Sequence, residues 1–260
     1  MIEMDDSPWL LPDWPAPAGV HALCSTRRGG VSSGALESLN LGARVGDDPL
    51  HVEANRRILR DRIGARPLFL DQVHGVGLAR LDARSQDGIA ADACTTVERG
   101  LACTVMVADC LPVLFTDAAG RRVAAAHAGW RGLAAGVLEQ TVQAFQSEDE
   151  GEGEGGAARV IAWLGPCIGP DAFEVGDEVL AAFEAISPAA RECFRPGARP
   201  GKWLADLAGL ARQRLRAAGV GRLHGNDSSE AWCTVNNPLR FFSHRRDGVS
   251  GRFAACIWRA

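Results

Sequence analysis

The sequence contains no tyrosine, no Cys-x-x-Cys pair and no apolar run long enough to span a membrane. The lack of tyrosine excludes a phenol as an acid or base. The chain begins with acidic residues rather than with a basic segment followed by an apolar one, so neither secretion nor membrane insertion is indicated. Its eight cysteines lie mostly in apolar or small-residue runs. We therefore predict free thiols in a reducing cytoplasm.

An excess of basic charge is also missing. The formal net charge is −4 over 260 residues, and five acids fall within residues 147–156, so the rest of the chain is almost neutral. This balance predicts neither a nucleic acid nor a membrane surface as a partner. Residues 147–158 are acidic, glycine-rich and of low complexity, which predicts a disordered loop inside a single domain that covers residues 1–260.

Short apolar runs and helical spacings mark the predicted elements. We predict strands at residues 21–26, 69–73, 102–108, 123–126 and 160–164, and a closing strand within residues 241–258. We predict helices at residues 48–63, 133–145, 175–186 and 203–217, the first capped by Gly64. Residues 90–96 are small and polar, and they predict a tight turn.

Two predicted strands each end in a side chain that binds soft metals. Cys110 follows the strand at residues 102–108, and His127 ends the run at residues 123–126. If the two strands are neighbours, Cys110 and His127 lie side by side in a site assembled by tertiary structure rather than in a zinc finger. His74 closes a third extended run, although a lone histidine beside a glycine is more often a turn or core residue than a ligand, and only Cys110 and His127 make it a candidate.

Two turns repeat one pattern. Residues 25–32 and 243–250 match at six of eight positions, as Ser-x-Arg-Arg-x-Gly-Val-Ser. Convergent turn chemistry would explain so short a match. The sharper hypothesis is that the two turns lie near each other and present arginines around one anion-accepting cleft. A separate bend at residues 165–170 presents Cys167, which is either a reactive thiol or a buried small residue.

Seven segments, taken in order, resemble one family over nearly the whole chain, from about Cys24 to Trp258. It is the multicopper polyphenol oxidase or laccase-domain family, later described as purine nucleoside phosphorylases with adenosine deaminase activity. The segments are SLNLG (38–42), DQVHG (71–75), ADACTT (91–96), VADCLPVLF (107–115), AAAHAGWRG (124–132), LGPCIGP (164–170) and FFSHRRDGVSGRFAACIW (241–258).

The resemblance implies a fold and a metal site. The implied fold is α+β, a single-domain sandwich of mixed β-sheets flanked by helices, similar to bacterial toxin domains that deamidate through a cysteine and a histidine. The implied zinc ligands are His74, Cys110 and His127. A tyrosine often found in the last motif is replaced here by Phe242 or His244, so no role is assigned to His244.

Two imidazoles and one thiolate suit zinc, and three protein ligands leave a fourth position for water or substrate. Copper is the rival metal, because cysteine and histidine also bind it. A multicopper oxidase needs about a dozen ligands, most of them histidine, whereas this chain has six histidines in total. Copper-dependent polyphenol oxidation is therefore disfavoured.

The resulting hypothesis is phosphorolysis of a purine nucleoside, with adenosine, inosine, guanosine or methylthioadenosine as substrate and deamination of adenosine as a side activity. Arg44 would clamp the phosphate, because a guanidinium matches phosphate geometry bidentately. Asn40 would orient the ribose or the base. Cys167 and Asp109 would supply proton transfer or binding near the metal. The expected partners are the nucleoside and phosphate, and the chain would be a monomer or a homodimer.

Two other classes of function stay open. In the first, Cys110 and His127 form a thiol dyad of a hydrolase or amidase. This alternative agrees with the description of related bacterial proteins as peptidoglycan editing factors that act on muropeptide precursors. In the second, the protein binds a metal or a partner without catalysis.

Overall fold

The computed structural model describes residues 7–145 and 156–260, which form fourteen β-strands and six α-helices. Residues 147–155 of the predicted disordered loop lie outside the described residues. The strands are β1 Trp9–Leu10, β2 Val20–Ser25, β3 Arg66–Phe69, β4 Leu78–Arg80, β5 Ala93–Thr96, β6 Leu101–Val107, β7 Leu111–Asp117, β8 Val123–Ala128, β9 Val160–Leu164, β10 Glu174–Gly176, β11 Phe194–Pro196, β12 Lys202–Ala205, β13 Arg222–Gly225 and β14 Phe253–Arg259. The helices are α1 Pro49–Ile63, α2 Trp130–Ala135, α3 Val137–Gln143, α4 Asp177–Glu184, α5 Leu207–Ala217 and α6 His244–Asp247.

Two large mixed sheets form the centre of the fold. The first has the strand order β1-β2-β14-β6-β3, and the second has the order β13-β9-β7-β8-β5-β4. Each contains parallel and antiparallel pairs, since β3 runs parallel to β6 and β13 runs parallel to β9. A small antiparallel sheet, β10-β12-β11, completes the architecture. None of the helices in the described ranges is long and apolar enough to cross a membrane.

Side chains on both large sheets alternate between two cores, as the two-residue period of a strand requires. Ala255 of β14 packs with Leu114 of β7 in the core between the sheets. The next residue in β14, Cys256, packs with Leu59 of α1 on the outer face of the first sheet. Phe115 of β7 joins helices α2 to α5 on the outer face of the second. The predicted α+β sandwich of mixed sheets flanked by helices is thus confirmed.

Elements with strong local signals follow the predictions closely. Helix α1 begins after Asp48, whose carboxylate accepts a hydrogen bond from the backbone N–H of Leu50, and it ends at Gly64, which has a φ of 64°. Only glycine adopts this left-handed conformation without strain. Strands β2, β6, β8 and β9 likewise lie within two residues of their predicted bounds.

Other predictions were wrong because tertiary pairing decides the local structure. Residues 90–96 were predicted as a turn, but Ala93–Thr96 is strand β5, in which Ala93 lies opposite Ala126 of β8. The helices predicted at residues 175–186 and 203–217 both begin later, since Val175 and Trp203 pair with each other in the small sheet. The strand predicted at residues 69–73 ends at Phe69.

The sequence reasoning missed strand β7, and this strand places the site. The predicted neighbours β6 and β8 belong to different sheets. Cys110 lies in the connection that crosses from β6 to β7, and β7 pairs antiparallel with β8 so that Leu111 faces Ala128. Cys110 and His127 therefore lie together, as predicted, but through β7 rather than through pairing of β6 with β8.

Candidate functional site

Three side chains with metal-binding atoms converge between the two large sheets. One ligand atom each of His74, Cys110 and His127 lies within 4.8 Å of the others. The Sγ atom of Cys110 is 3.9 Å from Nε2 of His74, and the two imidazole rings meet edge to face with centroids 4.8 Å apart. The histidines come from the loop after β3 and from β8. The structure thus brings together the three residues proposed as ligands.

A fourth residue, Asp92, fixes both histidines. Its buried carboxylate accepts hydrogen bonds from the backbone N–H groups of Val73, His74 and Gly75, at 3.2, 2.9 and 2.6 Å. Its Oδ1 atom also lies 2.9 Å from Nδ1 of His127. A proton on Nδ1 that points to the carboxylate leaves Nε2 as the free lone pair, which is the usual arrangement of a metal-bound histidine.

The sequence reasoning missed Asp92. An aspartate before a run of small residues is as typical of a turn as of a buried ligand support. The ADACTT segment, which contains Asp92, was among the motifs that carried the family resemblance. That resemblance was the signal that could have identified Asp92.

The charges of the site favour a thiolate beside a protonated imidazole when no metal is bound. Burial raises the pKa of Cys110, but the charge of His127 and hydrogen bonds from both histidines outweigh burial and lower this pKa to about 6. Burial lowers the pKa of His127, whereas Cys110 and Asp92 raise it to about 9. Burial also opposes ionisation of Asp92, yet its hydrogen bonds keep its pKa below the usual value. Binding of a metal would displace the proton from Nε2 of His127.

The backbone around the ligands adopts uncommon conformations. His74 and Asp109 have φ angles of 60° and 93°, in the region that disfavours residues with a side chain. Gly129 allows a close approach, because a Cβ there would lie 2.9 Å from Cδ2 of His74 and 3.1 Å from Sγ of Cys110. Such conformations often cluster at functional sites.

Asp109 holds the turn that presents Cys110. Its carboxylate accepts hydrogen bonds from the hydroxyl of Thr234 at 2.6 Å and from the backbone N–H of Arg245 at 2.7 Å. Its backbone carbonyl accepts from the N–H of Ile168 at 2.9 Å. Both carboxylate oxygens therefore already have protein partners.

A cavity of about 730 Å³ opens in front of the three candidate ligands. Such a volume is typical of sites for small molecules. Arg44, a predicted phosphate ligand, lines this cavity and forms an ion pair with Asp71. Further basic side chains on its wall are those of Arg56, His244, Arg245 and Arg252.

Asn40, predicted to orient the ribose or the base, lies behind the cavity wall and is fully buried. Its side-chain amide donates to the carbonyl of Gly42 and to the carboxylate of Asp47, at 3.2 and 2.8 Å. Its Oδ1 atom accepts from the backbone N–H groups of Gly42 and Arg252, at 3.0 and 2.9 Å. The amide is therefore fully engaged with protein groups.

Cys167 does not line the cavity and is not part of the group of three candidate ligands. It is buried, and its pKa is well above the usual value because of burial and the nearby charges of Asp206 and Cys233. Its thiol contacts the carbonyl of Ile168 and the side-chain amide of Asn226, each at 3.4 Å. These surroundings are those of an unreactive thiol.

The two Ser-x-Arg-Arg turns do lie near each other, as the hypothesis required. The backbone N–H of Arg27 donates to the carbonyl of Arg240 at 2.8 Å, and the guanidinium of Arg27 stacks over Phe242. The expectation that the paired arginines surround one cleft was wrong for three of them, whose guanidinium groups donate to backbone carbonyls: Arg27, Arg28 and Arg246. Arg245 alone of the four lines the cavity.

The three side chains suit a metal ion. Two imidazole nitrogens and a thiolate are zinc ligands, and in tetrahedral geometry the bond lengths of zinc place nitrogen and sulfur about 3.6 Å apart. The separation between His74 and Cys110 is 3.9 Å. Among residues 7–145 and 156–260, this is the one group of three or more such side chains close enough to hold a metal ion.

The similarity of the chain to known proteins extends over almost its full length. It is 52% identical over 250 residues to a Pseudomonas aeruginosa protein named purine nucleoside phosphorylase, with 96% of this chain and 98% of that protein covered. An Escherichia coli protein of the same name is 48% identical over 251 residues, with the same coverage. A crystal structure of a Neisseria meningitidis protein matches with a TM-score of 0.89 at 46% identity and covers 97% of this chain and 99% of that one.

The solved structure of YlmD from Geobacillus stearothermophilus has the same fold at 31% identity, with a TM-score of 0.89 and coverage of 99% of this chain and 98% of that one. The family model described as multi-copper polyphenol oxidoreductase laccase matches residues 21–260. On this match and these relatives, the chain belongs to the multi-copper polyphenol oxidoreductase laccase family.

Proposed function

We propose that the protein is a zinc-dependent purine nucleoside phosphorylase. Relatives of that name match 96% of the chain at 52% and 48% identity. The structural observation that supports the proposal most directly is one cavity of nucleoside size, lined by His74, Cys110, His127 and several arginines. Such a cavity offers a metal centre and cationic donors to the same bound substrate.

In the proposed reaction, an oxygen of inorganic phosphate attacks C1′ of the ribose. The bond from C1′ to the purine nitrogen breaks, and its electron pair leaves with the base, which takes up a proton. The products are the free base and a sugar 1-phosphate, and the proposed substrates are adenosine, inosine, guanosine and methylthioadenosine. In the side activity, a water oxygen attacks C6 of adenosine, the bond from C6 to the amino nitrogen breaks, and the products are inosine and ammonia.

His74, Cys110 and His127 would hold the zinc ion, which would supply Lewis-acid polarisation of an oxygen on the substrate or on water. The protein residues bind and orient. Arg44 attracts phosphate at the cavity wall, where its pairing with Asp71 holds the side chain.

Two other predicted roles change in the proposal. Asp109 has both carboxylate oxygens engaged, so it positions Cys110 rather than moving a proton. Cys167 receives no chemical step, since it lies outside the cavity.

Purified protein with measured metal content provides the test. We expect release of free base from inosine or adenosine that depends on phosphate, that stops with a metal chelator and that returns with zinc. Cys110→Ala should remove metal and activity, whereas Cys193→Ala, at the other partly exposed thiol, should keep both. Base release without dependence on phosphate, or none from zinc-loaded protein, would contradict the proposal.

The thiolate and imidazolium pair of Cys110 and His127 supports a second candidate, a thiol-dependent amidase. The chelator separates the two, because an amidase dyad would keep working when the metal is removed. Multicopper oxidation has less support, since the described residues offer a single group of three ligands. Two measurements decide whether copper rather than zinc binds to that group: the metal content of the protein and the identity of the metal that restores activity.

We also propose a cytoplasmic location, which the eight free thiols support. Light scattering coupled to size-exclusion chromatography would decide between a monomer and a homodimer.

A further inference from the structure

Four arginine side chains line the cavity, and they differ in their partners and in their exposure. Arg44 pairs with Asp71, Arg56 pairs with Asp87 at 3.4 Å, and Arg245 donates Nη1 to the carbonyls of Ala172 and Glu174. Pairing with a carboxylate neutralises a guanidinium and occupies its N–H groups. Arg44 and Arg56 are therefore less available to a bound anion, while Arg245 lies exposed to solvent, where water screens its charge.

Arg252 is half-buried, unlike the exposed Arg245, although both donate Nη1 to two backbone carbonyls. Its Nη1 donates to the carbonyls of Ser250 and Gly251, at 2.7 and 3.0 Å. Within the described residues, no carboxylate forms an ion pair with Arg252, and its Nε and Nη2 atoms have no protein acceptor. These two nitrogens form one edge of the planar guanidinium, which is the edge that binds two oxygens of a phosphate side by side.

The half-buried Arg252 also lies beside the metal centre. Burial lowers its pKa, and the negative charges of Cys110 and Asp109 counteract that shift. The cation at Arg252 attracts phosphate to this end of the cavity, and its partial burial strengthens the attraction by limiting competition from water.

The SLNLG segment forms a seat for Arg252. Oδ1 of Asn40 accepts the backbone N–H of Arg252 at 2.9 Å, and the backbone N–H of Leu41 donates to the Arg252 carbonyl at 3.0 Å. A Cβ at Gly42 would lie 2.8 Å from Cγ and 3.2 Å from Cβ of Arg252. The Arg252 side chain can thus lie where it does because residue 42 is a glycine.

We propose that Arg252 is the principal phosphate-binding side chain of this site, and that Asn40 and Gly42 are positioning residues that hold it there. The inference rests on the proposed function, in which phosphate is the second substrate. Under this inference, Asn40 acts through Arg252 rather than through contact with the nucleoside. Arg44 contributes less to phosphate binding than Arg252 does.

The test compares Arg252→Met and Arg252→Lys with the native protein. Lysine keeps the charge but loses the planar edge, and it serves as the second variant if the methionine variant does not fold. We expect the KM for phosphate to rise at least about tenfold in both variants, which is the scale of a charged hydrogen bond. The KM for inosine and the zinc content should stay within about twofold. Arg222→Met removes an exposed arginine from β13 and is the matched control.

A methyl group added at residue 42 tests whether Gly42 positions Arg252. Gly42→Ala should raise the KM for phosphate in the same direction without an equal rise in the KM for inosine, because the added Cβ displaces Arg252. Gly221→Ala is the matched control, since a Cβ there meets no atom within 4 Å. Calorimetric titration with inorganic phosphate gives a second readout that needs no turnover, and it should show the same order of affinities.

Three outcomes would overturn the inference. They are an unchanged affinity for phosphate in Arg252→Met, an equal rise of both KM values, or a loss of phosphate affinity in Arg44→Met that exceeds the loss in Arg252→Met. Native protein that binds phosphate through Arg252 but releases no base would overturn the proposed function and leave the phosphate site supported.

Discussion

Oδ1 of Asp92 lies 2.9 Å from Nδ1 of His127, and the same carboxylate accepts three consecutive backbone N–H groups that include that of His74. One buried acid therefore holds two candidate ligands that lie more than fifty residues apart in sequence. It sets the ring orientation of His127 and the loop conformation of His74 together. The protein itself therefore fixes both histidines.

Asp92→Asn should weaken zinc binding by about 10- to 100-fold, which is typical for the loss of a carboxylate that supports a metal-bound histidine. An amide keeps the shape but cannot accept all four hydrogen bonds with a full negative charge. Zinc affinity is measured by competition with a chromogenic chelator.

The matched control is Asp82→Asn. Asp82 also accepts backbone N–H groups in a turn, from Arg84 and Ser85, but it is exposed and outside the cavity. Equal zinc affinities for the two variants would show that Asp92 has no part in metal binding.

The sequence was most informative where structure depends on local signals. Helix α1 has an N-terminal capping residue, Asp48, and a C-terminal capping residue, Gly64, and each acts within one turn of the helix. The positions of Cys110 and His127 at the ends of apolar runs suggested that they are close, although β7 rather than a pairing of β6 with β8 brings them together. His74 needed the family resemblance. These side chains stand at strand ends or in short connections, which sequence patterns mark well.

The remainder depends on contacts between distant segments. Strand β7 is buried on both faces, so it lacks the alternation that reveals a half-buried strand. Asp92 has its partners 18 and 35 residues away. Asn40 and Arg252 are 212 residues apart. No periodicity in a single sequence reports such pairs.

Cys110 should be the first thiol to react in metal-free protein. Cys110 and Cys193 are the two partly exposed thiols, but the pKa of Cys110 is lowered to about 6 and that of Cys193 is raised to about 12. Thiolate is the reactive form. Alkylation of Cys110 by iodoacetamide should therefore rise through about pH 6 and level off by pH 8, whereas alkylation of Cys193 should still be slow there.

Peptide mapping by mass spectrometry measures both rates in one sample, so Cys193 is an internal control. Added zinc should protect Cys110 and leave Cys193 unchanged. Protection of both thiols, or of neither, would argue against Cys110 as a ligand.

Gly129→Ala should lower zinc affinity by about tenfold or more, the scale of a disturbed ligand support. The φ of Gly129 is −68°, so alanine fits the backbone and the effect is steric. Its Cβ would lie 2.9 Å from Cδ2 of His74 and 3.1 Å from Sγ of Cys110. Both side chains would therefore have to move. Gly19→Ala adds a methyl group in open space, and its zinc affinity should equal that of the native protein. The idea fails if Gly129→Ala binds zinc as the native protein does.

Asn55→Ala should lower the free energy of unfolding by about 2–4 kcal/mol, the range for breaking a buried hydrogen-bond network. Asn55 is fully buried in α1 and its amide holds the loop that carries Asn40 and Arg44. Its partners are the N–H of Val31, the hydroxyl of Ser32 and the carbonyls of Ser38 and Asn40.

Urea denaturation of the Asn55→Ala protein measures the loss, and the zinc content of the folded protein should stay unchanged, because Asn55 supports the loop and not the ligands. Arg57→Ala, at an exposed position in the same helix, should change stability by less than about 0.5 kcal/mol. If the two variants have equal stability, the loop is held by other contacts. If Asn55→Ala is the less stable of the two and also loses phosphate affinity, the loop held by Asn55 supports the seat of Arg252 as well.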